Sequence, residues 1–224
     1  MGKPADGSRR EMYGMNHSMN TRSLRMDAFS LSKSFGRARI FENVSFTVAT
    51  GGSIAFTGPN GSGKSTLCDI AAGIRRPTGG RIEYSLDGES LGGGSLPRVT
   101  GMAGPRVNPY DELTGMENVS FVARARGVDA LAAAPLFEFF GLARHRDKPL
   151  RHYSSGMRQR LKLILAVLHD PALVILDEPG ANLDAEGRAQ LAEFIERIRA
   201  RTALIIATND RDEAALCGGE VCLA

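Results

Sequence analysis

Gly58-Pro59-Asn60-Gly61-Ser62-Gly63-Lys64-Ser65-Thr66 decides how this chain is read. It fits the pattern G-x-x-x-x-G-K-[ST]. The mostly apolar run 52–57 before it predicts a short strand, and Lys64 to about Gly73 predicts a helix. A strand, a glycine-rich turn and a helix in that order form a phosphate cradle. Glycines let backbone N–H groups wrap an anion without Cβ clashes, and the helix N-terminus adds a positive dipole end. Lys64 is a cation for the β- and γ-phosphates of a nucleotide, and the Ser65 hydroxyl is a ligand for Mg²⁺. All nine residues from Gly58 to Thr66 are therefore candidate nucleotide contacts.

A second stretch supplies what phosphoryl transfer to water requires. Leu173-Val-Ile-Leu-Asp177-Glu178 reads as an apolar strand ending in two carboxylates. One carboxylate must hold Mg²⁺ and another must orient or deprotonate the attacking water. Successive strand residues point to opposite sides, so Asp177 is assigned to the metal and Glu178 to the water.

Outward from these stretches, segments 24–31 and 40–49 alternate apolar and polar residues, as half-buried strands do. A further strand is expected over 81–87, closed by an Asp87-Gly88 turn, followed by a floppy loop at Gly92-Gly-Gly-Ser95. Helices are expected at about 114–126 and 130–140, stopped by Gly127 and Gly141, and a mostly apolar one at about 156–169. Ala172–Leu176 and Ala203–Ala207 are continuous apolar strands, with an amphipathic helix marked by Leu191, Phe194, Ile195 and Ile198 between them. Apolar strands alternating with helices predict an α/β fold with a mostly parallel sheet covered on both faces. The helical block 113–151 interrupts that alternation and reads as an inserted subdomain. Residues 1–21 hold no Leu, Ile, Val or Phe. They read as a disordered N-terminal tail, or as sequence upstream of a start at Met15 or Met19.

Composition closes several other routes. The longest run of apolar residues, Leu163–Leu168, has six, against about 20 for a membrane-spanning helix. A net charge of +3, from 28 basic and 25 acidic residues, argues for no nucleic-acid partner. Three cysteines, at 68, 217 and 222, offer neither an even disulfide framework nor a CxxC zinc spacing, so a reducing compartment is expected. His17, His145, His152 and His169 have no metal-ligand spacing, and Arg144, Arg146, Arg151, Arg158 and Arg160 read as a solvated face.

A third stretch gives the pattern a family. Tyr153-Ser-Ser-Gly-Met-Arg-Gln-Arg160 lies just upstream of the carboxylate strand and resembles the LSGGQ-x-QR signature of ABC-type ATPases. With the phosphate loop and the carboxylate strand in that family's order, the resemblance covers about residues 24–224. It implies a P-loop NTPase core with an antiparallel β subdomain and an inserted helical subdomain at about 105–155, all within 22–224. It also implies ATP and Mg²⁺ as ligands. Phe35 falls where the family's aromatic residue stacks on adenine; from the residues alone, a core or turn Phe stays open as the lesser alternative. Ala181-Asn-Leu-Asp184 resembles the D-loop, and Leu113-Thr114 with Glu117-Asn118 resembles the stretch after the Q-loop. By the same resemblance Ser154, Ser155, Gly156 and Met157 would meet the γ-phosphate held by a second copy, so that two ATP sit between two head-to-tail chains.

The chain departs from the family pattern at four positions. Pro105 stands at the Q-loop glutamine, Asn209 at the switch histidine, Ser155 at a signature glycine and Met157 at the signature glutamine. Proline offers no side-chain oxygen, and Asn209 can donate a hydrogen bond to phosphate but cannot carry a proton. The expected function is that of the ATP-hydrolysing subunit of an ABC transporter, catalysing through Glu178, Lys64 and Asn209. It would be cytoplasmic, peripheral on the inner face of a membrane, and would drive separate integral membrane subunits. A weakly hydrolysing regulatory module and a soluble non-transport ATPase of the same family are the alternatives.

Overall fold

The computed structural model describes residues 22–92 and 94–224, so the tail expected over 1–21 lies outside the described residues. Two sheets organise the chain. The first is antiparallel: β1 (Leu24–Phe35), β2 (Ala38–Ala49), β4 (Gly79–Leu86) and β5 (Glu89–Ser90), in the order β2-β1-β4-β5. The second comprises β3 (Ser53–Thr57), β6 (Thr100–Ala103), β7 (Leu173–Asp177), β8 (Ala203–Ala207) and β9 (Gly219–Cys222), in the order β6-β7-β8-β3-β9 with every recorded pairing parallel. The helices are α1 (Lys64–Ala71), α2 (Leu96–Val99), α3 (Gly115–Arg126), α4 (Ala134–Phe139), α5 (Ser155–Val167), α6 (Ala185–Arg199) and α7 (Arg211–Ala214).

Strand periodicity builds two cores. Along β7, Leu173 and Ile175 join the cluster formed with α1 and the antiparallel sheet, whereas Val174 and Leu176 join the cluster formed with α3 to α6. Both faces of the parallel sheet are thus covered, which is why β7 and β8 are buried along their whole length. The same alternation turns Asp177, two residues beyond Ile175, toward α1. The α5 helix crosses β6 closely: a Cβ at Gly101 would lie 1.8 Å from the Ala166 carbonyl oxygen.

Helix ends follow local chemistry. Thr114 and Glu117 form a reciprocal capping box at the start of α3, and Gly127, at φ 69°, ends it in the left-handed conformation. The helix expected over 130–140 is instead a 3₁₀ turn, Ala130–Ala133, followed by α4; Pro135 occupies the first turn of α4, where its missing N–H is tolerated. The 81–87 strand begins two residues earlier, and the Asp87-Gly88 turn returns it to β5.

Candidate functional site

The strand β3 delivers the chain directly into the glycine-rich loop. Gly58 has φ 140°, and a Cβ there would lie 2.2 Å from the Leu223 carbonyl oxygen, so only glycine fits where the loop leaves the sheet. Pro59, Asn60 and Gly61 are exposed at the tip, whereas Ser62 and Lys64 are buried, with Gly63, Ser65 and Thr66 partly so. Lys64 Nζ donates to the carbonyls of Gly58 at 2.7 Å and Pro59 at 3.1 Å, and lies 3.8 Å from Glu178 Oε1. Its ammonium therefore neutralises the carbonyl dipoles of its own loop and approaches the second carboxylate. The Ser62 hydroxyl is buried without a hydrogen-bond partner.

Asp177 lies across from Ser65. Burial pushes its carboxyl above the ordinary range, and the Ser65 hydroxyl pulls it back. Its Oδ1 is buried with no hydrogen-bond partner. An anionic oxygen left unpaired in a low-dielectric site is costly. A divalent cation shared with the Ser65 hydroxyl and phosphate oxygens would satisfy it, so the residues present fit Mg²⁺.

Glu178 follows in the left-handed conformation, φ 51°, which swings it off the strand. Burial raises its carboxyl, Lys64 lowers it, and the neighbouring Asp177 charge raises it again. The Asn209 backbone N–H lowers it as well. The Asn209 side chain donates to Asn60 Oδ1 at 3.1 Å, so Asn209 ties the end of β8 to the tip of the phosphate loop.

Phe35 is 46% exposed, which removes it from the core. Lys33 Nζ and the Arg75 guanidinium lie 5.1 and 5.2 Å from its ring centroid. The hairpin that carries it is seated on the loop through Ile40, whose Cγ2 would be 2.5 Å from a Cβ at Gly63. Pro105 is exposed. Its predecessor Gly104 backs onto Asp177, where an added Cβ would lie 2.9 Å from Asp177 Cβ, and Lys162 Nζ donates to the Gly104 carbonyl at 3.2 Å.

The signature segment opens α5. Ser154 caps α5, accepting from the Met157 N–H at 3.2 Å. Ser154 and Ser155 are exposed, Gly156 and Met157 partly so. With Arg160, Asn182 and Asp184 they line one surface depression of about 270 Å³, which places the signature and D-loop segments on the same face. The sequence reading gave no role to Gln159, which is buried and donates to the carbonyls of Glu178 at 3.3 Å and Pro179 at 2.8 Å. Its place inside the quoted signature was the available signal. Asp69 was also missed, although a lone carboxylate on the apolar stretch Leu67–Ala72 marks it.

Residues 41–181 match the family model described as ABC transporter. The chain is 34% identical over 188 residues to the uncharacterised ABC transporter ATP-binding protein YxlF of Bacillus subtilis, covering 80% of this chain and 61% of that protein. It is 32% identical to the lantibiotic transport ATP-binding protein SrtF of Streptococcus pyogenes, covering 80% of this chain and 77% of that one. It is 31% identical to the daunorubicin/doxorubicin resistance ATP-binding protein DrrA of Streptomyces peucetius, covering 88% and 61%. The chain thus spans about three-fifths of the length of two of these relatives. Among solved structures, an ATP-binding subunit of an ABC transporter superposes with TM-score 0.75 at 30% identity, covering 88% of this chain and 85% of that one. A dimeric bacterial ABC transporter cassette gives 0.78 at 20% identity, covering 88% and 94%, a likeness of fold. The three sequence stretches, the two-sheet architecture and these matches agree, and the chain belongs to the ABC transporter family as an ATP-binding domain of the P-loop NTPase fold.

Proposed function

We propose that this chain is the ATP-binding and ATP-hydrolysing subunit of an ABC transporter, paired with a second copy around two ATP and driving separate membrane-embedded subunits from the cytoplasmic face. The observation that carries this reading is the convergence of Lys64, the unpartnered Asp177 Oδ1 and Glu178 on one glycine-rich loop. On ATP binding the Lys64 ammonium exchanges its loop carbonyls for β- and γ-phosphate oxygens. Ser65 and Asp177 would hold Mg²⁺, which supplies neutralisation of charge on the phosphate oxygens. Glu178 accepts the proton of the attacking water, and the Asn209 amide donates to the γ-phosphate. Phe35 stacks on adenine, and the α5 tip, Ser154–Met157, offers N–H groups to the nucleotide of the opposite chain.

No described helix is long and apolar enough to cross a membrane, so on this reading the membrane path belongs to partners. Their docking surface is the exposed pair Tyr110 and Phe121, whose ring centroids are 5.2 Å apart beside α3. The weakly hydrolysing reading keeps one specific support: Pro105 and Asn209 replace two side chains that elsewhere serve the γ-phosphate. Titration with ATP–Mg²⁺ tests the proposal. Lys64→Ala should abolish binding, and equal affinity would sink it. Measurable steady-state turnover separates the hydrolytic from the regulatory reading, and co-purification with an integral membrane protein rather than nucleic acid separates both from a soluble ATPase.

A further inference from the structure

The carboxylate of Asp69, on α1, is buried, its side chain only 4% exposed. It receives two arginines. Arg75, just after the helix, approaches at 3.4 Å and also lies over the Phe35 ring. Arg106, 37 residues away in sequence, donates to the same Oδ2 from the loop between β6 and α3. A buried charge demands partners, so this contact is strongly favoured once Asp69 is in place. The Arg106 side chain is itself 56% exposed, so it fills no core space, and the ion pair is what holds it.

Two facts give the pair a role. Its ends belong to the elements that frame the candidate site: α1 begins with Lys64 and Ser65, and the loop begins with Gly104, whose backbone packs on Asp177. In addition, the residue between Gly104 and Arg106 is Pro105, which has no polar side chain to anchor the loop to the site. We propose that Arg106 is a positioning residue for ATP hydrolysis, latching the Gly104–Asn108 loop onto α1 through the buried carboxylate of Asp69. The inference rests on the hydrolytic reading above. A loop tied this way keeps the wall beside Asp177 in register with the phosphate loop; a shift of about 1 Å in such a wall can cost as much as a hundredfold in rate.

The test uses the full chain with Arg106→Ala and Arg106→Lys. Amide hydrogen exchange over residues 104–110, ATP–Mg²⁺ turnover and melting temperature are measured for each. Arg106→Ala should speed exchange in the loop and lower kcat about tenfold with KM and melting temperature little changed. Arg106→Lys should recover part of kcat and part of the loop protection. Unchanged loop exchange, unchanged kcat, or a kcat loss that only tracks melting temperature overturns the proposal. If the unsubstituted chain shows no turnover, or Glu178→Gln turns over equally fast, the hydrolytic reading fails and the positioning role fails with it. Normal Glu178-dependent turnover beside an unaltered Arg106→Ala protein removes the positioning role alone.

Discussion

The Lys64 ammonium stands 3.8 Å from the Glu178 carboxylate while its hydrogen bonds go to the Gly58 and Pro59 carbonyls. The two side chains to which the proposed function gives phosphate binding and proton transfer thus neutralise each other. On the proposed function, ATP binding would separate their tasks: the cation would turn to the phosphates, leaving the carboxylate to accept a proton.

Glu178→Gln removes that acceptor while keeping size and hydrogen bonding. ATP turnover should fall by roughly 10²–10⁴-fold with ATP–Mg²⁺ affinity retained. Steady-state phosphate release and equilibrium nucleotide binding, measured on the same preparation, check both halves of the expectation.

The pH profile follows from the same burial. Desolvation raises the Glu178 carboxyl above the ordinary carboxylate range, with Lys64 opposing. A proton acceptor works only when ionised, so kcat/KM falls as pH drops through this raised value. The acid limb should therefore lie above that of an exposed glutamate. Asn209 does not titrate, so it adds no limb of its own. Asn209→His should add one near the ordinary histidine value of about 6.5 and raise turnover if donation to the γ-phosphate limits the rate. Profiles of kcat/KM for both proteins check this, and an unchanged turnover in the histidine variant would show that the switch position does not limit.

Stability has its own sensitive point at Gly101. A methyl group there would lie 1.8 Å from the Ala166 carbonyl oxygen and 2.9 Å from Pro171 Cγ, so β6 and α5 must move apart. Gly101→Ala should destabilise by about 1–3 kcal/mol, read from the urea midpoint at constant m-value.

The central strands β3, β7 and β8 were legible in the sequence because burial on both faces leaves continuous apolar runs. The outer strands β6 and β9 were not. Thr100-Gly-Met-Ala103 and Gly219-Glu-Val-Cys222 are four residues each, at the two sheet edges, with neither alternation nor an apolar run. The phosphate loop and carboxylate strand were readable because each is contiguous and chemically unusual. The Asp69–Arg106 contact was not, since it joins two ordinary-looking residues across 37 positions. The exposure of Phe35, left open between stacking and core, was decided by the hairpin geometry.

The α5 helix has one further consequence. Its Gln159 amide grips the carbonyls of Glu178 and Pro179, while Ser154, capping the same helix, is exposed. If two copies pair head to tail as proposed, one helix would link each chain's Glu178 turn to the phosphates held by its neighbour. On that arrangement, damage at Ser154 would be felt across the seam rather than at home, coupling the timing of the two copies.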